Sequence, residues 1–320
     1  MALTLAEAAV LSSNMLARGV METFVIESPV LDRLPLMNIE GNAYQYNLEA
    51  TLPGVAFRAV NEAYVESTGT FNQKTEGLTI LGGDADVDRF IVQTRGNLND
   101  QRALQTRAKV KATSYKFQDT FINGDVAVDA KAFDGLKKRL TGSQIIDIAT
   151  NGAPVVGNGG TDTQSFFDAL DALFGAVAGG PDVVYTNRQI QAKILSAGRR
   201  IGGADLVRAD IEGIPGSGKR AVMWNGVPIL DIGTRPDGTQ IIPQTEAQGT
   251  ANDAGSIYAV KFGQDEGDQA VTGLTNGGVD AYDLGELETK PAYRTRIEFY
   301  CGLAVFSGRA AARLRGVRAL

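Results

Sequence analysis

Residues 97–125 read NLNDQRALQTRAKVKATSYKFQDTFINGD. This stretch separates a β-type segment upstream from a mixed α and β segment downstream. Asn97 or Asn99 offers a helix cap, apolar residues then recur every three to four positions, and the Asn-Gly-Asp turn at 123–125 ends the run. At 1.5 Å per residue, about 25 residues form a rod about 38 Å long. The pattern therefore predicts one long helix. Its repeating positions are Leu104, Ala108, Lys111 or Ala112, Tyr115 and Ile122.

The predicted helix also has a basic face. A solvated face is the commoner explanation of such a pattern, and contact with DNA or with an acidic neighbour is the alternative. The whole chain has a formal charge of −6 and a pI near 4.9, which argues against a protein that binds nucleic acid mainly by electrostatics. The basic residues are Arg102, Arg107, Lys109, Lys111 and Lys116.

Upstream of the helix the sequence is typical of β structure. Tyr44, Tyr46 and Leu48 alternate with polar residues, and a returning arm runs over 78–92. Between the two arms, residues 50–73 form a long loop without its own core, which is normally functional or disordered. Scattered apolar side chains argue against disorder and predict a partner surface outside the loop. They are Val55, Phe57, Val60, Tyr64 and Val65.

Downstream of the helix, a Gly- and Asn-rich linker candidate at 149–161 precedes a second region. An amphipathic helix, a strand, a further helix and then several β segments follow, without a sustained βαβ repeat, so we expect an α+β domain. From Tyr293 the strand pattern resumes and predicts long C-terminal strands that return to a central sheet. This tail has six arginines and one glutamate, whereas residues 251–290 are acidic, which predicts contacts between copies or within one.

The residue inventory excludes much ordinary enzymology. The 320 residues contain no histidine, which removes Ser-His-Asp and Cys-His pairs, the imidazole base and the commonest metal ligand. Cys301 is the single cysteine, and its apolar neighbours predict a buried filler inside a strand. Residues 1–10 lack the basic region of a signal peptide, so we expect a protein that is cytosolic where it is made. We predict no enzyme, no cofactor and no metal site.

Two motifs resemble ligand sites but fail their own requirements. The sequence GIPGSGK at 213–219 matches part of a P-loop, yet Arg220 stands where a Ser or Thr hydroxyl must bind Mg²⁺. The pattern of residues 221–224 predicts a strand, whereas phosphate binding requires a helix at this point. A Gly-rich loop is the simpler interpretation.

The second motif opens like a calcium loop with Asp84, Asp86 and Asp88, but Arg89 replaces its glycine and Arg95 its glutamate. On a strand these three carboxylates share one face. They would meet a neighbour's arginines, a bound cation or, more commonly, solvent at a sheet edge.

In their order, these elements resemble the HK97-type major capsid protein of tailed double-stranded DNA phages, over nearly the whole chain. The order of the elements is the specific part of the resemblance. It rests on residues 28–34 for an arm, 42–92 for an extended loop, 97–122 for a spine helix, 122–125 with 133–136 for the link after it, 182–188 for a strand-to-helix turn and 224–229 for a strand.

The resemblance implies an α+β, HK97-like capsid fold in five parts. These are an N-terminal arm (1–41), an extended β loop or E-loop (42–92), a peripheral domain with the spine helix (93–150), an axial domain (151–290) and C-terminal strands returning to the peripheral domain and its sheet (291–320). It further implies a structural protein whose pentamers and hexamers form an icosahedral phage head around double-stranded DNA. E-loops then lie across adjacent subunits. We predict inter-subunit contacts at Val55, Phe57, Arg58, Tyr64, Glu66, Asp84, Asp86 and Asp88.

Two departures from the family pattern change the cross-link and the partners that we expect. The cross-linking members use an E-loop lysine, whereas the loop tip at 53–69 has none and Lys74 lies off it, so we expect no covalent cross-link. No long charged coiled-coil segment precedes the arm, so we expect a separate scaffolding protein, with a portal and a decoration protein as further partners. We expect no membrane contact, no sequence-specific DNA binding, and a location in the virion after assembly in the host cytoplasm.

Two other functions remain open from the sequence. An encapsulin-like bacterial compartment has the same fold and would enclose an enzyme instead of a genome. A P-loop-like nucleotide-binding enzyme is the remote alternative, and it rests on residues 213–219 alone.

Overall fold

The computed structural model describes residues 19–20, 28–95, 101–157, 160–201, 208–210, 220–235 and 237–319. Residues 1–18 of the predicted N-terminal arm and the GIPGSGK motif lie outside the described residues.

The secondary structure mixes helices with a larger number of strands. The helices are α1 (Arg89–Arg95), α2 (Gln101–Asn123), α3 (Leu136–Arg139), α4 (Gly160–Ala176) and α5 (Arg188–Ile201). The strands are β1 (Leu36–Asn38), β2 (Ala43–Thr51), β3 (Thr70–Gly77), β4 (Thr79–Asp88), β5 (Ile145–Asp147), β6 (Ala153–Pro154), β7 (Val183–Thr186), β8 (Arg208–Asp210), β9 (Arg220–Trp224), β10 (Val227–Asp231), β11 (Glu246–Gln248), β12 (Ala251–Val260), β13 (Val271–Glu286), β14 (Ala292–Val305) and β15 (Ala311–Arg318).

A four-stranded sheet in the order β1-β13-β14-β4 packs against the long helix α2. The strands β13, β14 and β4 are antiparallel neighbours, and β1 pairs in parallel with β13. Alternation along β14 buries Ile297 and Phe299 and leaves Arg294 and Arg296 on the opposite face. Phe299 meets Phe117 of α2 with ring centroids 5.6 Å apart. The sheet therefore shares its buried face with the helix.

A second sheet of nine strands forms the other half of the molecule. Its order is β5-β15-β12-β7-β10-β9-β8, with β11 beside β12 and β6 beside β15. One face carries α4 and α5, whose Phe166 and Ile194 are fully buried in a cluster of their own. The other face presents Tyr185 to Phe121 of α2, with ring centroids 6.2 Å apart. Because α2 contacts both sheets, one continuous core joins the two halves.

The two C-terminal strands, β14 and β15, belong to different sheets. β14 lies in the four-stranded sheet beside β13, whereas β15 lies inside the nine-stranded sheet between β12 and β5. The expectation of one shared destination for these strands is therefore wrong. Strand pattern alone does not distinguish two sheets, because both destinations bury alternate residues of the strand.

The returning arm of the long loop also ends earlier than expected. The prediction of a strand that extends to Val92 is wrong. Strand β4 ends at Asp88, and Phe90 and Ile91 belong to α1. Asp88 Oδ1 accepts a hydrogen bond from the Phe90 backbone N–H at 2.8 Å. A carboxylate in this position caps a helix N-terminus, so Asp88 starts the helix instead of continuing the strand.

Candidate assembly surfaces

The extended loop is a β ribbon with an uncovered tip. Strands β2 and β3 are paired from Ala43 and Gly77 to Thr51 and Thr70, and nine residues of strand span about 30 Å. Residues 52–69 join the strands beyond the ribbon without a helix or strand of their own. Their apolar side chains are exposed: Val55 by 96%, Phe57 by 107%, Val60 by 89%, Tyr64 by 70% and Val65 by 85%.

The tip has local order although it has no core. The Ala59 backbone N–H donates to Glu62 Oε2 at 3.0 Å, and the Arg58 guanidinium donates to the Glu62 carbonyl oxygen at 3.1 Å. The same guanidinium lies 5.1 Å from the centroid of the Tyr64 ring, in cation–π geometry. Polar bonds and this cation–π contact thus shape the turn, whereas Val55, Phe57, Val60 and Val65 stay exposed.

The base of the ribbon is fixed to the body. Tyr46 is buried, packs edge-on against Phe306 with centroids 4.9 Å apart, and donates its hydroxyl to the Val305 carbonyl oxygen at 3.2 Å. Glu76 on β3 receives two hydrogen bonds from Arg139 of α3, at 2.5 and 2.7 Å. This pair is largely shielded from solvent. Sequence reasoning missed the anchor, because nothing local relates two residues that lie 63 positions apart.

The predicted carboxylates Asp84 and Asp86 are paired within the chain. Arg296 donates two hydrogen bonds to Asp84, at 2.8 and 3.0 Å, and Arg294 donates two to Asp86, at 2.7 and 2.8 Å. Lys290 adds a third bond to Asp86 at 2.5 Å. The guanidinium hydrogen bonds hold the pKa of both carboxyls below its usual range. The expected solvated edge is wrong, since these acids share one face as predicted but meet arginines of their own chain.

The remaining predicted contact residues fall into two places. Arg58 and Glu66 lie on the exposed tip with the apolar side chains, whereas Asp88 caps α1. The structure therefore brings together the loop residues as one exposed group, and it places the three aspartates on a separate strand. An inter-subunit role for all eight stays a prediction.

The arginine-rich tail is likewise paired within the chain, mostly with acids outside residues 251–290. Arg313 is the buried member. It donates to both carboxylate oxygens of Glu246, which also accepts hydrogen bonds from Ser256 and from Lys137 of α3. Burial opposes ionisation of Glu246, yet the charge of Arg313 and these bonds keep its pKa below the ordinary value. The tail pairs are Arg294–Asp86, Arg296–Asp84, Arg313–Glu246, Arg315–Asp147 and Arg318–Asp253.

Comparison with known proteins gives a family match over part of the chain and a fold shared over most of it. The major capsid protein GP7 family matches residues 14–167, which include the ribbon, its tip and α2. The SrpI encapsulin of Synechococcus elongatus PCC 7942 is 19% identical over 91% of this chain and 87% of its own, with a TM-score of 0.65. No curated protein sequence matches the chain.

Two further structures share the architecture. The capsid of a native GTA particle is 14% identical over 91% of this chain and 90% of its own, with a TM-score of 0.59. The Mycobacterium phage Ogopogo structure is 16% identical over 90% of this chain and 92% of its own, also with a TM-score of 0.59. This chain has the HK97-like fold that these shell proteins share. The α+β, HK97-like prediction is confirmed.

The link after the long helix α2 depends on two glycines. A Cβ on Gly124 would lie 2.3 Å from the Phe133 carbonyl oxygen, and a Cβ on Gly135 would lie 2.5 Å from the Thr120 carbonyl oxygen. The Gly135 N–H donates to the Gly124 carbonyl oxygen at 2.9 Å. The sequence motif around these glycines therefore marks a close backbone approach. It positions α3, and with it the arginine that anchors the ribbon.

Four further features of the structure bear on the remaining predictions. Cys301 is buried in β14, and burial raises its pKa to about 12, so the prediction of a core filler is confirmed. Arg220 begins strand β9, whereas a P-loop requires a helix at this point. Within the described ranges, no helix is long and apolar enough to cross a membrane. The same residues contain no group of three or more His, Cys, Asp or Glu able to hold a metal ion.

Proposed function

We propose that this protein is the major capsid protein of a tailed double-stranded DNA phage, and that pentamers and hexamers of it close an icosahedral head around the genome. The observation that carries the proposal is the tip at 52–69. It exposes six large apolar side chains, Leu52 among them, at the end of a ribbon whose base is fixed by Tyr46 and by the Glu76–Arg139 pair. Burial of these apolar side chains against another copy would stabilise the assembled state relative to the free subunit.

The free energy available from burying the apolar side chains of the tip supports assembly through this loop. Full burial of a large apolar side chain contributes about 1.5–3 kcal/mol. Residues such as Val55 and Phe57 contribute none of this in the isolated subunit, because they remain exposed. In a closed ring every subunit both gives and receives the same contact, so the gain is repeated around each pentamer or hexamer. Arg58, Tyr64 and Glu66 lie on the same tip and form the contact with them.

The proposal includes the division into parts and the partners expected for such a shell. Residues 1–41 act as the arm, 42–92 as the E-loop, 93–150 as the peripheral domain and 151–290 as the axial domain. A separate scaffolding protein and a portal assemble with the shell, with or without a decoration protein. The shell forms in the host cytoplasm and becomes part of the virion.

An encapsulin-like compartment is the second candidate. The SrpI encapsulin has a TM-score of 0.65 to this chain, against 0.59 for the GTA capsid. The shared fold therefore supports an encapsulin-like shell at least as well as a phage capsid. Both candidates predict closed shells made of many copies. They differ in what the shell contains.

The test is electron microscopy of particles that contain this chain, purified by an antibody from the cells that naturally produce it, together with an assay of their nucleic acid. Large shells filled with nuclease-protected double-stranded DNA are the expected result. Small shells that hold only a protein cargo and no DNA would overturn the phage proposal in favour of the encapsulin-like one.

A further inference from the structure

The long helix α2 exposes an apolar stripe that faces away from its sheet. Leu104, Ala108 and Tyr115 follow at intervals of four and seven residues and so lie on one side of the helix, with Lys111 between them. Leu104 is 48% exposed, and Ala108 and Lys111 are exposed as well. Most of the side chains that α2 buries lie on the other side of the helix, but Gln118 and Ile122 lie on the side of the stripe, so only its N-terminal half is exposed. The buried residues are Val110, Thr113, Ser114, Phe117, Gln118, Thr120, Phe121 and Ile122.

This stripe has the spacing of a buried helix face. Apolar residues at intervals of three and four normally point into a core, and here the sequence pattern and the exposure disagree. The small side chains of Ala108 and Ala112 permit a second helix to approach closely. At the same end of the molecule α1 packs against α2 and exposes Phe90 and Ile91. The apolar surface is therefore suited to a helix that lies along α2.

Basic side chains border the stripe on both sides. Arg107 and Lys116 are nine residues apart and so project from opposite margins of the exposed face. Both are exposed, and neither forms an ion pair with any described residue. Lys111 lies over the Tyr115 ring, 5.5 Å from its centroid. Asp119, the acid within α2, is already bonded to Asn123 and Arg235.

We propose that this stripe binds an amphipathic helix of a second protein, one whose apolar residues follow a 3–4 spacing and whose margins are acidic. The apolar residues of the partner pack on Leu104, Ala108 and Tyr115, as in helix-in-groove recognition. Its Asp or Glu side chains pair with Arg107 and Lys116.

The chemistry favours a protein helix over nucleic acid or over the loop tip of another copy. Phosphate groups need cations but no apolar surface, so DNA leaves the exposed Leu104 unexplained. The tip at 52–69 has no helix to lie along α2. An acidic amphipathic helix uses both the apolar centre and the basic margins.

The experiment measures binding of labelled probes to the purified full chain by fluorescence anisotropy. The first probe is a peptide of about 20 residues with Leu at 3–4 spacing and Glu on both margins. The second is the same peptide with Lys in place of Glu. A duplex DNA of similar length and a peptide of residues 52–69 complete the set.

We expect the Glu peptide to bind at least roughly tenfold more tightly than the Lys peptide. The double change Arg107→Glu with Lys116→Glu should reverse this preference, and its binding of the Lys peptide would show that the variant is folded. The change Leu104→Gln should weaken the Glu peptide without altering the preference. The matched control, Lys131→Glu with Arg200→Glu, reverses two exposed charges elsewhere and should change neither affinity.

Several outcomes overturn the proposal. Equal binding of the two peptides, or an unchanged preference in the charge-reversed variant, removes the basic margins from recognition. Tighter binding of DNA that depends on Arg107 and Lys116 reassigns the stripe to nucleic acid, and competition by the 52–69 peptide reassigns it to another copy. If the reversed variant does not fold, Arg107→Gln with Lys116→Gln must still lower the affinity for the Glu peptide. Because the assay uses the folded subunit, an absence of phage particles counts against the proposed function and not against this inference.

Discussion

Two regions contain the predicted inter-subunit residues, and they differ in whether those residues find partners within the same chain. Asp84 and Asp86 on β4 have their charges satisfied by Arg296 and Arg294 of the neighbouring strand. The tip at 52–69 keeps its apolar side chains exposed, because it lies beyond the paired ribbon and cannot reach the body. Strand register places opposite charges together, whereas no local rule supplies an apolar surface to a projecting loop. The tip is therefore the stronger candidate for contact with another copy.

The largest expected effect comes from removing the tip. Replacing residues 53–69 with a short Gly-Ser turn should leave a folded subunit or isolated capsomers but no closed shells, because the fold does not use these side chains. Negative-stain electron microscopy scores the particles, and thermal unfolding of the subunit scores the fold.

The matched control for this deletion changes exposed apolar residues elsewhere. Val126→Ser with Val128→Ser alters a different exposed loop and should leave the shells intact. Normal particles from the deletion variant, or loss of shells in the control as well, would remove the special role of the tip.

A smaller effect is expected at the base of the ribbon. The single change Arg139→Met leaves Glu76 without its partner in a shielded site, which should lower the free energy of unfolding of the unassembled subunit by about 3 kcal/mol. Urea unfolding measures this change. The double variant Glu76→Gln with Arg139→Met should recover part of the loss, since no charge is left unpaired. If the single change has no effect before assembly, the body does not hold the ribbon and neighbouring copies must do so.

The smallest effect concerns the two carboxylates on β4. Asp84→Asn with Asp86→Asn should cost about 1 kcal/mol at pH 7, because partly exposed ion pairs contribute little, and shells should still form. The pKa of each carboxyl lies below its ordinary value of 3.8 in the folded state. This stabilisation is therefore present above about pH 3.8 and is lost as the pH falls through the folded pKa. Urea unfolding of both proteins at pH 7 and at about pH 3 should show their difference shrinking in acid. A difference that does not shrink at all would assign the effect to packing instead of charge.

The sequence predicted some features well because their signals are local. The long helix, its Asn-Gly-Asp end and the buried Cys301 follow from neighbouring residues, and the structure contains all three. The direction in which the helix faces did not follow. Its repeating positions at Leu104 and Ala108 are exposed, while Thr113, Ser114 and Gln118 are buried, because packing against two sheets overrides the apolar periodicity.

By itself, the sequence determined the kind of protein: no histidine, a single buried cysteine, a projecting loop with an apolar tip, and an order of elements that matches the HK97 fold. The tertiary structure alone decided which charges meet. Glu76 finds Arg139, Glu246 finds Arg313, and the tail arginines find acids on distant strands. Such pairs depend on strand register and on which sheet each strand joins. These are long-range choices, whereas composition and periodicity report only on the local chain.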